Sequence, residues 1–212
     1  MKQITTALVV ALSLAATVFA KDKDKKPETP PPAAQQTPTP QPGMDMNTMM
    51  ADYAKMMAPG DEHKALGKMV GKWSLKIKMW MPGMPPHESA GTSEFHWILD
   101  GHYMQEDATG DMMGSPFKGM NIIGYEKFRK QYVSCWIDNM STGLGISSGF
   151  HDMATNSTTM MGQMDDPMTG SIGKWSTSII HMVDDDHCTM EMHDPSLGAN
   201  SKVMEIDYTR VK

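Results

Sequence analysis

From Gly71 onward the chain repeats one pattern, and that pattern restricts the fold more than any other feature. In residues 71–81, Trp73, Leu75, Ile77, Met79 and Met81 fall on one face. Lys72, Ser74, Lys76 and Lys78 fall on the other, and Trp80 alone breaks the alternation. Side chains alternate across a strand with a period of two, so this is a strand with one packed and one wet face. The same alternation returns in residues 89–99, 102–109, 117–125, 131–138, 144–153, 158–165, 172–183, 188–193 and 202–211, with turn signals between them. That makes about ten short strands and no long helix among them. Asp100-Gly101 is a two-residue hairpin signal, because both residues tolerate positive φ. Sequential strands with short turns predict an antiparallel up-and-down meander, and a sheet of that length tends to close, because closure removes its edges. The expected fold is therefore all-β, a closed barrel of about ten strands, with a β-sandwich as the alternative. A small barrel holds packed side chains or one modest ligand.

Upstream of Gly71 the composition changes. Residues 1–20 carry Lys2, a short apolar core and small residues at Val18 and Ala20, which predicts a cleaved secretory signal and an exported product. The apolar run is shorter than the roughly 20 residues that span a bilayer, so no membrane span is expected. Residues 21–43 are rich in Pro, Lys and Gln without an aromatic residue and read as a disordered linker. Residues 44–60 form a Met-rich, helix-compatible segment stopped by Pro59-Gly60. Asp61 is placed to cap a second short helix with Leu66, Met69 and Val70 on one face. The barrel domain is expected over residues 61–212.

A short helix leading into Gly71-Lys72-Trp73 resembles the entry motif of calycin (lipocalin-like) barrels. There the Trp plugs one end and meets an Arg from the last strand; the resemblance assigns barrel closure to Trp73 and Arg210. A closer resemblance runs from His63 to Arg210. HKALGKMVGKW, WMPGMPP, WILDGHYMQE, GYEKFRKQYVSCWIDNMSTG, DPMTG and MEIDYTR together resemble the DUF1579 family of bacterial, often exported, domains. The resemblance implies a calycin-type barrel and supplies no catalytic residues. His102 stands where members often have Arg, and Lys174-Trp175 replaces a Lys/Arg–Val–Arg pattern.

Several constellations are candidates for chemistry. There are 25 methionines in 212 residues. Thioethers are soft ligands that select Cu(I), which makes Met44, Met46, Met49, Met50, Met79, Met81 and Met84 candidate metal ligands. Against that, Met79 and Met81 continue an alternating face as core residues do, and Met is a common gap filler. Gly145-Ile-Ser-Ser-Gly149 fits G-x-S-x-G, but a nucleophile elbow needs strand, turn and helix, and this string lies inside a strand. Asp184-Asp185-Asp186 lacks the spacing of a calcium loop and reads as a solvated turn. The eight histidines are dispersed, with no H-E-x-x-H and no C-x-x-C, so zinc is not indicated. Cys135 and Cys188 have no spacing that demands a disulfide.

One face remains. Pairing across Asp100-Gly101 puts Trp97, Leu99, His102, Met104 and Glu106 on one side of the sheet. If Trp97 and Leu99 point inward, His102 and Glu106 do too, and buried polar groups need partners or a wet cavity. Trp97, His102, Glu106, Tyr125 and Trp136 are accordingly the candidate cavity residues. Calycin relatives include haem carriers, so an inward His102 is a candidate haem ligand; no cofactor is required by the sequence itself. A net charge of −6 argues against a nucleic-acid partner. The expected role is binding of a small apolar or amphipathic ligand. The alternatives are Cu(I) capture and, with no constellation behind it, an enzyme of unstated reaction.

Overall fold

A computed structural model describes residues 45–212 apart from 82, 167 and 168. The expected signal segment, the linker and Met44 lie outside the described residues. Two helices come first, α1 (Met46–Met57) and α2 (Asp61–Leu66), followed by a 3-10 turn over Gly67–Met69. Ten strands follow: β1 (Gly71–Met79), β2 (His87–Ile98), β3 (Tyr103–Met112), β4 (Ser115–Glu126), β5 (Gln131–Asp138), β6 (Gly145–Asp152), β7 (Ser157–Asp166), β8 (Ser171–Met182), β9 (His187–His193) and β10 (Lys202–Arg210). Each strand pairs antiparallel with the next, and β1 also pairs with β10, so the meander closes into a barrel. Closure removes the sandwich alternative: each strand has a neighbour on both sides, and no edge is exposed. Among the described residues, no helix is long and apolar enough to cross a membrane.

The alternation seen in the sequence sets the inside and outside of the wall. Trp73, Leu75, Phe95, Met104, Cys188, Ile206 and Tyr208 are buried and pack together. Lys72, Ser74 and Lys76, on the other parity, are exposed. Gly60, not Asp61, is the N-cap of α2, and Asp61 occupies its first turn. The Gly60 N–H donates to Nδ1 of His63 at 3.1 Å, which satisfies one free amide of the helix start. The buried His63 ring meets Tyr125 edge-on, and Tyr125 in turn meets Tyr132. Through that aromatic chain α2 is seated across one end of the barrel.

The same end is locked by Trp73 and Arg210, which face each other in the β1–β10 register. Trp73 is fully buried, and its Nε1 donates to the Met69 carbonyl at 2.7 Å. Arg210 donates from Nη1 to Val70 O at 2.7 Å, from Nη2 to Lys68 O, and from Nε to Asp185 O at 2.9 Å. Arg210 thereby binds the chain entering β1 to the β8–β9 turn. The acidic run is that turn: Asp184 accepts from His187, and the Asp186 carboxylate lies 3.3 Å from Nε of Arg210.

Gly149 shows why small residues recur in β6. A Cβ there would lie 1.8 Å from the Thr159 carbonyl oxygen of β7. Gly119 is needed for a different reason: the Trp136 ring lies where its Cβ would be, at 2.3 Å.

Candidate functional site

The barrel encloses a cavity of about 530 Å³ at the α2 end. Its wall is mainly apolar, with Phe95, Ile123, Ile180 and a group of methionines, Met69, Met104, Met160, Met182 and Met190. Asp61, Glu62 and Lys68, from α2 and the turn after it, line its outer part. Met153, which is 85% exposed, also lines it, so the cavity reaches solvent beside the β6–β7 turn.

Three polar groups are set into this wall. Ser134 and Ser147 join their hydroxyls at 2.8 Å across β5 and β6. Ser147 is thus a cavity-lining residue of a regular strand, with no helix after it and no nucleophile elbow. His151 lies within 3.0 Å of the Thr158 hydroxyl through Nδ1. The third group is centred on Glu106, which is 5% exposed. Ser93 Oγ donates to its Oε1 at 2.8 Å, and the Asn121 amide and Tyr208 hydroxyl also donate to it. Asn121 lies directly across the β3–β4 ladder from Glu106. Burial pushes the Glu106 carboxyl up to about 6; the three hydrogen bonds pull it back down, and Asp107 adds a small upward push. Desolvation also raises the neighbouring Cys188 thiol to about 12 and Tyr208 well above its usual value, with Glu106 adding to both.

Of the sequence-predicted cavity residues, Glu106 lines the cavity and Trp97, His102, Tyr125 and Trp136 do not. Trp97 faces Met104 in the register expected from the sequence and packs against the core beside Gly67. His102 is not in the wall. The strands stop at the Ile98–Tyr103 pair, and Leu99, Asp100 and Gly101 all adopt positive φ. The connection is therefore four residues instead of two, and it turns His102 back so that Nδ1 meets Leu99 O at 2.8 Å. An inward His102 as haem ligand has no support in that geometry. Tyr125 belongs to the aromatic chain under α2. Trp136 stacks on Phe117 toward the other end and donates to Asp138 Oδ2 at 2.9 Å. Asp138 also accepts from the Met140 and Ser141 amides, which closes the turn after β5.

The candidate metal ligands are spread over separate elements. Met46, Met49 and Met50 are exposed on α1, Met79 ends β1, and Met84 is exposed in the turn beyond Met81. The methionines that the fold does gather are different ones, in the cavity wall. Among the described residues no group of His, Cys, Asp and Glu is placed to hold a metal ion. Both cysteines are free. Cys188 points inward, while Cys135 sits on the outer face between Ile122 and Ile146.

Sequence reasoning did not single out Ser93, Asn121, Tyr208 or Cys188. Each shares the inward parity of its strand; hairpin register brings Ser93 and Asn121 beside Glu106, and closure of β10 on β1 brings Tyr208 and Cys188.

None of the curated proteins matches the chain. Among solved structures, the chain is similar to Rv2717c from M. tuberculosis. The TM-score is 0.54 at 11% identity, over 73% of this chain and 100% of that one. A likeness at that identity speaks for the fold alone. The sequence itself is more specific: residues 58–210 match the model of a family described as a protein of unknown function, DUF1579, and the chain belongs to that family.

Proposed function

We propose that the domain binds a small, predominantly apolar ligand inside the barrel. The observation that carries this reading is the cavity of about 530 Å³ with its apolar wall and few polar groups. Protein interiors are close-packed, and voids much larger than a water molecule are rare. Ligand sites occupy about 300–1,000 Å³ and are lined as this one is. The wall side chains suit an adaptable fit, because Met has three rotatable bonds and a polarisable sulfur. Opening at Met153 supplies a route in. The signal-like residues 1–20 favour an exported binding domain, which N-terminal sequencing of the mature protein tests.

Displacement of N-phenyl-1-naphthylamine, an uncharged fluorophore, tests the cavity itself. Saturable uptake by the wild type is expected, together with loss of uptake in Ser178→Phe, which places a ring in the wall beside Met160 and Met192. Equal uptake by the two proteins would remove the interior from consideration.

A further inference from the structure

The polar cluster in the wall is chemically one-sided. Asp61 and Glu62 also line the cavity, but from α2; Glu106 is buried in the barrel wall itself. The groups acting on Glu106 are Ser93 on β2, Asp107 on its own strand, Asn121 on β4 and Tyr208 on β10. None is basic. Cys188 on β9 is a buried thiol beside it, and it too brings no cation. Across the ladder, the Asn121 side-chain oxygen is fully buried with no hydrogen-bond partner. Two acceptors, a carboxylate and an amide oxygen, thus meet in a lining that supplies no further donor for the amide oxygen. Buried acceptors left unpaired are costly.

We propose that Glu106 and Asn121 read the polar end of the ligand, and that this end is a hydrogen-bond donor, an amine before an alcohol, with carboxylate-headed molecules rejected. The inference rests on the cavity-binding reading above. An ammonium head neutralises Glu106 and donates to both Glu106 and Asn121 Oδ1, as charge-assisted hydrogen bonds. A hydroxyl donates a single proton. A carboxylate adds a second negative charge beside Glu106 in a low-dielectric wall, where like charges repel strongly.

The test uses three chain-matched probes, dodecylamine, dodecanol and dodecanoate, each displacing N-phenyl-1-naphthylamine near neutral pH. Dodecylamine is expected to compete at least about tenfold better than dodecanoate, with dodecanol between them. Glu106→Gln, which keeps the side-chain shape and an acceptor for Ser93, is expected to narrow that ratio to about threefold or less. Asn121→Leu provides a second variant, expected to weaken dodecylamine more than dodecanoate. Acidification through the Glu106 titration should shrink the amine preference in the wild type. The other titratable groups along the cavity are Tyr132, His151, Tyr208 and Cys188, with Asp61, Glu62 and Lys68 on the α2 side, and Glu106→Gln separates their part from that of Glu106. Dodecanoate competing as well as dodecylamine, or a ratio unmoved by both substitutions, overturns the head-group assignment while fluorophore uptake leaves the cavity reading standing. Failure of the fluorophore and all three probes to bind removes both.

Discussion

The guanidinium carbon of Arg210 lies 4.2 Å from the centroid of the Trp73 ring, and the same guanidinium donates to the Lys68, Val70 and Asp185 carbonyls. One side chain thus stacks on the buried Trp of β1 while tying down the chain before β1 and the β8–β9 turn. Lysine keeps the charge but not the planar fork that reaches three carbonyls while stacking. Arg210→Lys is therefore expected to cost about 2–3 kcal/mol, from the lost hydrogen bonds and weaker cation–π contact. Urea denaturation measures it; a loss within error of zero would show that the stack does not hold the barrel end.

Glu106 gives a pH dependence of unusual sign for a carboxylate. Its folded value, about 6, stands above the ordinary 4.5. The folded state therefore holds its proton more tightly than the unfolded state. The stability associated with the neutral form is fully present below about pH 4.5 and is lost as pH rises through about 6. A shift of that size corresponds to about 2 kcal/mol. Relative to wild type, Glu106→Gln should gain up to about that amount near pH 8 and show the smallest gain at pH 4.5. Thermal unfolding of the two proteins across this range checks it, and a difference that is flat with pH would contradict the burial argument.

Gly149 and Gly143 separate close packing from open space. A Cβ at Gly149 meets the Thr159 carbonyl oxygen at 1.8 Å, whereas nothing lies within 4 Å of one at Gly143. Gly149→Ala should lose roughly 3 kcal/mol or more, or fail to fold, because backbone must move to admit the methyl. Gly143→Ala should change stability by no more than about 0.5 kcal/mol. Comparable midpoints for the two variants would argue against the β6–β7 approach.

The two thiols should react at very different rates. Cys188 is 1% exposed, and desolvation raises its thiol to about 12, so little thiolate forms at neutral pH. Cys135 is partly exposed on the outer face. Labelling of native protein with a thiol-specific disulfide reagent should mark Cys135 first and reach Cys188 only on unfolding. Peptide mapping after a timed pulse reads the order, and early labelling at Cys188 would mean that the cavity opens further than its wall suggests.

Much of the architecture was legible because a strand buried on one face writes itself with a period of two. Trp73, Leu75 and Ile77 against Lys72, Ser74 and Lys76 showed which parity faces in, and the turn signals between such runs gave the strand count. That Glu106 points inward followed only if Trp97 does, whereas the pairing of Trp97 with Met104 followed from Asp100-Gly101. The position of His102 did not. Whether a hairpin closes in two residues or four depends on where backbone twist ends the ladder, and here Leu99 takes a positive φ that its identity does not announce. Similarly, Met113-Gly114 forms the tight turn between β3 and β4, with Met112 opposite Ser115. Without that register, Asn121 was one polar residue in an apolar run; with it, Asn121 stands across from Glu106. The chain by itself determined the alternation within each strand and the sequential order of the strands. Only the closed tertiary structure decided which inward residues meet across the barrel and where they leave space, because ring closure and register set distances between side chains far apart in sequence.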